Sequence, residues 1–239
     1  MIFSKTFRDV SHALRLLVSV RDAGEADLAL AAGADLIDAK DPERGALGAL
    51  PPETVRAIAA RVGNRALTSA VAGEPEPAAL PAAVRAMAAT GVDFVKVALR
   101  PGCPPEALTD AAGAAPGRLI AVLFAEDAPR AGAVPALAAA GLAGAMIDTA
   151  SKDGRRLTDR LGPADLTAFT EACRAHGLLS GLAGSLRVSD IPSLAPHRPS
   201  YLGFRGGLCR ARDRRLGLDP EALAEAVRTL RALPARAAA

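Results

Sequence analysis

Lysine residues at the ends of predicted strands are the first candidates for chemistry in this sequence. The chain contains only four lysines among its 29 basic residues, so arginine occupies most of the other basic positions. A lysine amine can lose its proton and become a nucleophile when it is desolvated or lies near another cation, whereas a guanidinium stays charged. We therefore take Lys40, Lys96 and Lys152 as candidates for covalent catalysis.

Two aspartates accompany these lysines. Asp38 precedes Lys40 by two positions, and Asp148 precedes Lys152 by four. Residues two apart on a strand point to the same side, so Asp38 and Lys40 are expected to face the same mouth of a sheet. Neighbouring cations lower each other's proton affinity, and burial disfavours the charged amine further. The pattern therefore predicts a free amine that forms a Schiff base with a carbonyl.

Each candidate also has a purely structural interpretation. Lys40 could be a solvated loop residue paired with Asp41 or Glu43, and Lys96 could belong to a buried structural salt bridge. Lys152 lies in the turn-like sequence SKDG and could be an ordinary loop lysine. The two aspartates could cap or bridge structural elements.

Short apolar runs alternate with alanine-rich helical stretches along the chain, and this alternation predicts the fold. The predicted strands cover residues 14–20, 35–40, 66–71, 93–99, 119–124, 145–148, 178–183 and 201–204. Parallel strands need helical crossovers. Eight such units in 239 residues predict a single (β/α)8 TIM barrel over residues 14–239, preceded by an N-terminal extension over residues 1–13. An open doubly wound sheet is the alternative.

Glycine-rich turns follow the seventh and eighth predicted strands, where TIM barrels often bind phosphate. Glycines let a phosphate approach the backbone N–H groups, a serine hydroxyl adds a donor, and an arginine offers a bidentate fork. The predicted phosphate-binding residues are Gly184, Ser185, Arg205, Gly206 and Gly207. Ordinary turns could have the same composition. The arginines of 210–215 are interpreted as a solvated surface.

Composition argues against several classes of function. With no Trp, 3% aromatic residues and a net charge of only +3, the chain lacks stacking platforms for nucleic acid. Three widely spaced cysteines favour a reducing cytoplasm over a disulfide framework, and there is no Cys/His metal spacing. No stretch is expected to span a membrane. We expect a cytoplasmic protein that acts on a small anionic substrate, and homo-oligomerisation stays open.

Longer motifs carry a resemblance to a known family. The block GADLIDAKDPERGALGA covers residues 33–49 and MIDTASKDG covers residues 146–154, and DFVKVAL, GLAGSL and GFRGGLCR add to them. From Leu16 to about Arg212, the sequence resembles the (5-formylfuran-3-yl)methyl phosphate synthase family. The resemblance implies a TIM-barrel lyase that joins two glyceraldehyde 3-phosphate molecules with loss of one phosphate and water. The furan product would serve methanofuran or a related C1 carrier.

The same resemblance implies roles for individual residues. The Schiff-base lysine falls on Lys40 and the proton-accepting lysine on Lys96, with Asp38, Asp148 and Lys152 in support. No metal or organic cofactor is implied. Two alternatives stay open, namely another Schiff-base triose-phosphate aldolase and a non-catalytic phosphosugar-binding barrel.

Overall fold

The computed structural model describes residues 14–127, 131–151 and 153–234. The predicted extension over residues 1–13 and the candidate Lys152 lie outside the described residues, so both stay predictions. Within the described ranges, no helix combines the length and the apolar character needed to cross a membrane.

Eight parallel strands close into a barrel in sequence order, and a helix follows each of them. The strands are β1 (Arg15–Val20), β2 (Leu36–Ala39), β3 (Leu67–Val71), β4 (Phe94–Ala98), β5 (Leu119–Phe124), β6 (Gly144–Asp148), β7 (Leu179–Leu182) and β8 (Tyr201–Phe204). The helices are α1 (Ala23–Ala32), α2 (Pro52–Val62), α3 (Leu80–Ala88), α4 (Pro105–Ala114), α5 (Val134–Ala139), α6 (Pro163–Ala175), α7 (Ile191–Leu194) and α8 (Pro220–Arg231). Because β1 pairs with β8, the predicted TIM barrel is confirmed and an open sheet is excluded.

Local sequence explains where many elements begin and end. The Asp22 side chain caps α1 by accepting a hydrogen bond from the Glu25 N–H at 2.8 Å. Gly33 ends the same helix with φ of 97°, a left-handed conformation that glycine adopts without a Cβ penalty. The sequence did not predict bounds for α4, whose segment PEALTDAAGA is rich in alanine and has weak apolar periodicity.

The apolar core has two layers because successive strand residues point to opposite faces. Leu16, Val18 and Val20 of β1 pack outward against the helices. The barrel interior is filled by another set, which includes Leu17, Leu36, Ile120, Met146 and Tyr201. Above this interior layer, at the carboxyl ends of the strands, the inward positions become polar.

Candidate active site

A cavity of ≈ 930 Å³ opens at the carboxyl ends of the strands. Every sequence-predicted site residue that the structure describes lines this cavity. They are Asp38, Lys40, Lys96, Asp148, Gly184, Ser185, Arg205, Gly206 and Gly207. In TIM-barrel enzymes the active site lies at this end of the barrel.

The most deeply buried charged groups of the cavity are Asp38 on β2 and Lys96 on β4, which form an ion pair. Nζ of Lys96 donates to Oδ1 of Asp38 at 2.8 Å, and both side chains are almost fully buried, with 2% and 3% exposed. The buried salt bridge foreseen as a structural alternative for Lys96 is therefore present. Lys96 also lines the cavity.

Two serines that sequence analysis missed hold the carboxylate of this pair. Oγ of Ser69 donates to Oδ1 of Asp38 at 2.6 Å, and Oγ of Ser19 donates to Oδ2 at 2.9 Å. Asp38 aligns with Ser19 on β1 and with Ser69 on β3, so the three residues form one row across three strands. In the sequence, Ser19 and Ser69 are polar residues within apolar strands, which indicates a special role. This pattern does not reveal which side chain each serine contacts.

Burial dominates the electrostatics of Lys96. Loss of water lowers the pKa of Lys96; the Asp38 carboxylate opposes this shift, and the positive charge of Lys40 reinforces it. The Tyr201 ring lies below the amine, with its centroid 5.9 Å from Nζ. Gly181 makes room for that ring, since a Cβ there would lie 2.4 Å from Cζ of Tyr201.

The second ion pair joins β2 to β6 and is looser. Nζ of Lys40 lies 3.4 Å from Oδ2 of Asp148, while Oδ1 of Asp148 accepts the Thr149 N–H at 2.7 Å. Lys40 is buried, with 8% of the residue exposed, and pairs across the barrel. The alternative of a solvated loop lysine is therefore wrong. Of the two described lysines, Lys40 is the less tightly held and the less buried.

One glycine in each of the two glycine-rich turns packs so closely against its neighbours that a side chain would not fit. A Cβ on Gly184 would lie 2.7 Å from Cγ2 of Thr149, and a Cβ on Gly207 would lie 2.1 Å from the Leu186 carbonyl oxygen. Ser185 has φ of 50°, an uncommon left-handed value for a residue other than glycine. Both turns line the cavity.

The guanidinium of Arg205 is committed to other protein groups. It donates to the carbonyl oxygens of Ser19, Arg214 and Leu216 and forms a bidentate ion pair with the buried Glu25. These five bonds use all five N–H donors of an arginine. The expected bidentate grip of Arg205 on phosphate does not fit this arrangement, because no donor is left over.

Arg214 is a cavity arginine whose donors are not all used within the described residues. It lines the cavity and is half-buried, so the interpretation of residues 210–215 as a solvated surface is wrong at this position. Its guanidinium donates one hydrogen bond within the described residues, from Nη2 to the Gly45 carbonyl at 2.7 Å. Burial lowers the pKa of Arg214, and the negative charge of Asp148 opposes that shift. No local sequence signal separated Arg214 from its exposed neighbours.

The chain matches the family model described as 4-HFC-P synthase over residues 16–227. It is 61% identical over 220 residues to a Methylorubrum extorquens protein provisionally named (5-formylfuran-3-yl)methyl phosphate synthase, covering 92% of this chain and 93% of that one. A Methanopyrus kandleri protein with the same name is 36% identical, covering 85% and 92% of the two chains. The Methanocaldococcus jannaschii protein of this name is 34% identical, covering 88% and 97%.

Solved structures share the fold at low sequence identity. Phosphoribosyl anthranilate isomerase from Thermus thermophilus superposes with a TM-score of 0.69 at 19% identity, covering 92% of this chain and all of the other. The 3-hexulose-6-phosphate synthase of Salmonella typhimurium gives 0.67 at 15% identity, covering 91% and 98%. Likeness at this level supports the barrel architecture alone, since many activities share this fold.

Proposed function

Since the chain belongs to the 4-HFC-P synthase family, we propose that it condenses two glyceraldehyde 3-phosphate molecules into (5-formylfuran-3-yl)methyl phosphate. The observation that carries this proposal is the pair of lysine–aspartate contacts within one cavity at the mouth of the barrel. A Schiff-base enzyme needs a nucleophilic amine and, close to it, a group that transfers protons, in a site from which most water is excluded. The two lysine–aspartate pairs can provide these two groups. The product would enter the synthesis of a methanofuran-type C1 carrier.

Lys40 is the proposed nucleophile. Within the described residues its amine is held only by the 3.4 Å contact to Asp148, and it lines the cavity, so a substrate carbonyl can reach it. Attack of the neutral amine on the aldehyde, followed by loss of water, gives an iminium that acts as an electron sink. Asp148 then stabilises the positive charge on that nitrogen.

Lys96 is the proposed proton carrier. Its lowered pKa favours a neutral amine that can take a proton from the carbon next to the iminium and so generate an enamine. Asp38, held by Ser19 and Ser69, would fix the position of the Lys96 amine and balance the positive charge that Lys96 gains with the proton. The supporting role of Lys152 stays part of the proposal.

The remaining steps form the ring. The enamine carbon attacks the second aldehyde, which makes the carbon–carbon bond and returns an iminium. Elimination of one phosphate, attack of a hydroxyl oxygen to close the ring, and dehydration give the furan. Hydrolysis of the iminium then releases the Lys40 amine and takes up one water, which replaces the water lost when the iminium formed. Two C3 aldehyde phosphates thus become one C6 furan phosphate, one phosphate and two waters. Protons move through Lys96 and the two aspartates.

Product formation is the direct test. Wild-type protein mixed with glyceraldehyde 3-phosphate alone should develop the absorbance of a conjugated furan aldehyde, and mass spectrometry should find the furan phosphate. Appearance of an aldol or isomerisation product without a furan would favour another Schiff-base triose-phosphate enzyme. Binding without any conversion would favour a phosphosugar-binding barrel.

The nucleophile is tested by trapping. Borohydride added during turnover should leave a reduced triose adduct on Lys40, and Lys40→Arg should lower kcat by at least about 1,000-fold, because a guanidinium cannot form the iminium. Lys5→Arg is the matched control, since Lys5 lies outside the span that matches the family. An adduct found only on Lys96 or Lys152 would reassign the nucleophile.

A further inference from the structure

Arg205 and Arg214 both line the cavity from the segment that follows β8, but their hydrogen bonding differs. Every donor of Arg205 is used within the protein, whereas Arg214 donates a single bond among the residues that the structure describes, to Gly45. The buried Nε of Arg214 has no hydrogen-bond partner among the described residues. A buried N–H of this kind is unfavourable when it stays unpaired, which favours an acceptor from a bound ligand.

The position of Arg214 depends on the ion pair beneath it. Arg205 has no donor left for a ligand. It donates to the backbone carbonyls of Arg214 and Leu216, and its bidentate contact with Glu25 connects these two residues to α1. The Arg214 side chain then extends to Gly45, in the loop that follows Lys40. The guanidinium also interacts electrostatically with Asp148, the partner of Lys40. The guanidinium therefore belongs to the β2 and β6 side of the cavity.

The charge distribution favours an anion at this point. Three further arginines, Arg187, Arg212 and Arg215, line the cavity and are exposed. Charge-assisted hydrogen bonds from a guanidinium to phosphate are strong because the planar donors match the phosphate oxygens. The glycine-rich turns offer backbone N–H groups, but they carry no net charge of their own.

From these contacts we infer that Arg214 is a phosphate-binding residue of the cavity and holds the phosphate group of a substrate bound at Lys40. This inference deepens the proposed function and rests on it for the identity of the ligand as a triose phosphate. Arg205 and Glu25 act as positioning residues, which hold the Arg214 backbone without touching the ligand. The anion-binding arginine is thus displaced by nine positions from the one that the sequence suggested.

Titration of the full chain with inorganic phosphate tests the inference without turnover. Isothermal titration calorimetry of Arg214→Gln should show phosphate binding weakened at least about tenfold, or one phosphate fewer per chain, because a charge-assisted bond contributes about 1.5–3 kcal/mol. Arg214→Lys should keep part of the affinity, since it keeps the charge but loses the planar fork. Arg210→Gln is the matched control, because Arg210 is exposed on the same segment and does not line the cavity.

A titration curve of Arg214→Gln that superimposes on that of the wild type would overturn the inference, and so would an equal loss in Arg210→Gln. If Arg214→Gln does not fold, Arg214→Lys decides: weaker binding than Arg210→Gln supports the inference, and equal binding overturns it. Absence of furan product from the wild type would instead count against the proposed function, which phosphate binding does not measure.

Discussion

At the scale of single residues, the site depends on how two carboxylates hold two amines. Among the described residues Asp38 receives three hydrogen bonds, from Lys96, Ser19 and Ser69, whereas the contact of Asp148 with Lys40 is longer. A proton carrier benefits from a fixed position, because small displacements in a reacting pair are costly. A nucleophile must instead leave its partner and reach the carbonyl. The tighter pair on Lys96 and the looser one on Lys40 fit these two proposed roles.

Removal of one serine hydroxyl tests this interpretation. Ser69→Ala deletes the 2.6 Å bond to Asp38 and should lower kcat about tenfold with little change in KM, because the substrate does not need the hydroxyl in order to bind. Steady-state kinetics provide the measurement. Ser180→Ala is the control, since Ser180 is buried on β7 and bonds to the backbone of Ser200 outside the cavity. Equal losses of kcat in the two variants would contradict a positioning role.

At the scale of elements, the segment between β8 and α8 forms much of the cavity wall, and Glu25 of α1 anchors it through Arg205. The pair is buried, with 6% of the Glu25 side chain and 8% of the Arg205 side chain exposed. Removing two charged side chains from water is unfavourable unless each forms good hydrogen bonds in the interior. Truncation of Glu25 would leave the buried Arg205 guanidinium without its carboxylate partner and would weaken its hold on the carbonyls of Arg214 and Leu216.

We expect Glu25→Ala to lower the free energy of unfolding by about 3–5 kcal/mol, the usual cost of breaking a buried ion pair. KM for glyceraldehyde 3-phosphate should also rise, because Arg214 loses its anchored backbone. Urea unfolding and steady-state kinetics measure the two effects. Glu53→Ala, at an exposed glutamate in the first turn of α2, should change neither. An unfolding free energy of Glu25→Ala equal to that of Glu53→Ala would argue against the anchor.

At the scale of the whole molecule, closure of the barrel brings distant parts of the chain to one mouth. Asp38 and Lys96 lie 58 positions apart, and Lys40 and Asp148 lie 108 apart, yet each pair is in contact. Short strands of four to six residues give one polar row above an apolar interior. The same close packing buries ionisable groups that have no part in the site, and their protons link stability to pH.

Buried thiols predict a loss of stability at alkaline pH. Burial raises the pKa of Cys173 to about 12 and that of Cys209 to about 11, from an ordinary value near 9. The folded chain therefore keeps protons that the unfolded chain releases, so this stabilisation is complete below pH 9 and is lost as pH rises towards 12. Each thiol contributes a slope of at most about 1.4 kcal/mol per pH unit.

Urea unfolding between pH 8 and 10.5, under reducing conditions, measures this slope. Cys173→Ala should reduce the decline in unfolding free energy with pH, whatever its effect on stability at pH 8. Cys103→Ala, at a partly exposed cysteine, should reduce it less. An unchanged slope in Cys173→Ala would contradict the prediction.

The sequence by itself determined the alternation of strands and helices, hence the barrel, because apolar periodicity and glycine or proline breaks are local properties. Rare lysines at strand ends likewise identified the residues that share the cavity, since parallel strands end at one mouth. Only the tertiary structure decided the partners: Lys40 with Asp148, Lys96 with Asp38 and the two serines, and Arg205 with Glu25. Contacts of this kind depend on strand register and on loops that cross between distant segments. A guanidinium bonds whichever acceptors the folded chain brings within reach, so Arg214, and not Arg205, keeps donors for a ligand.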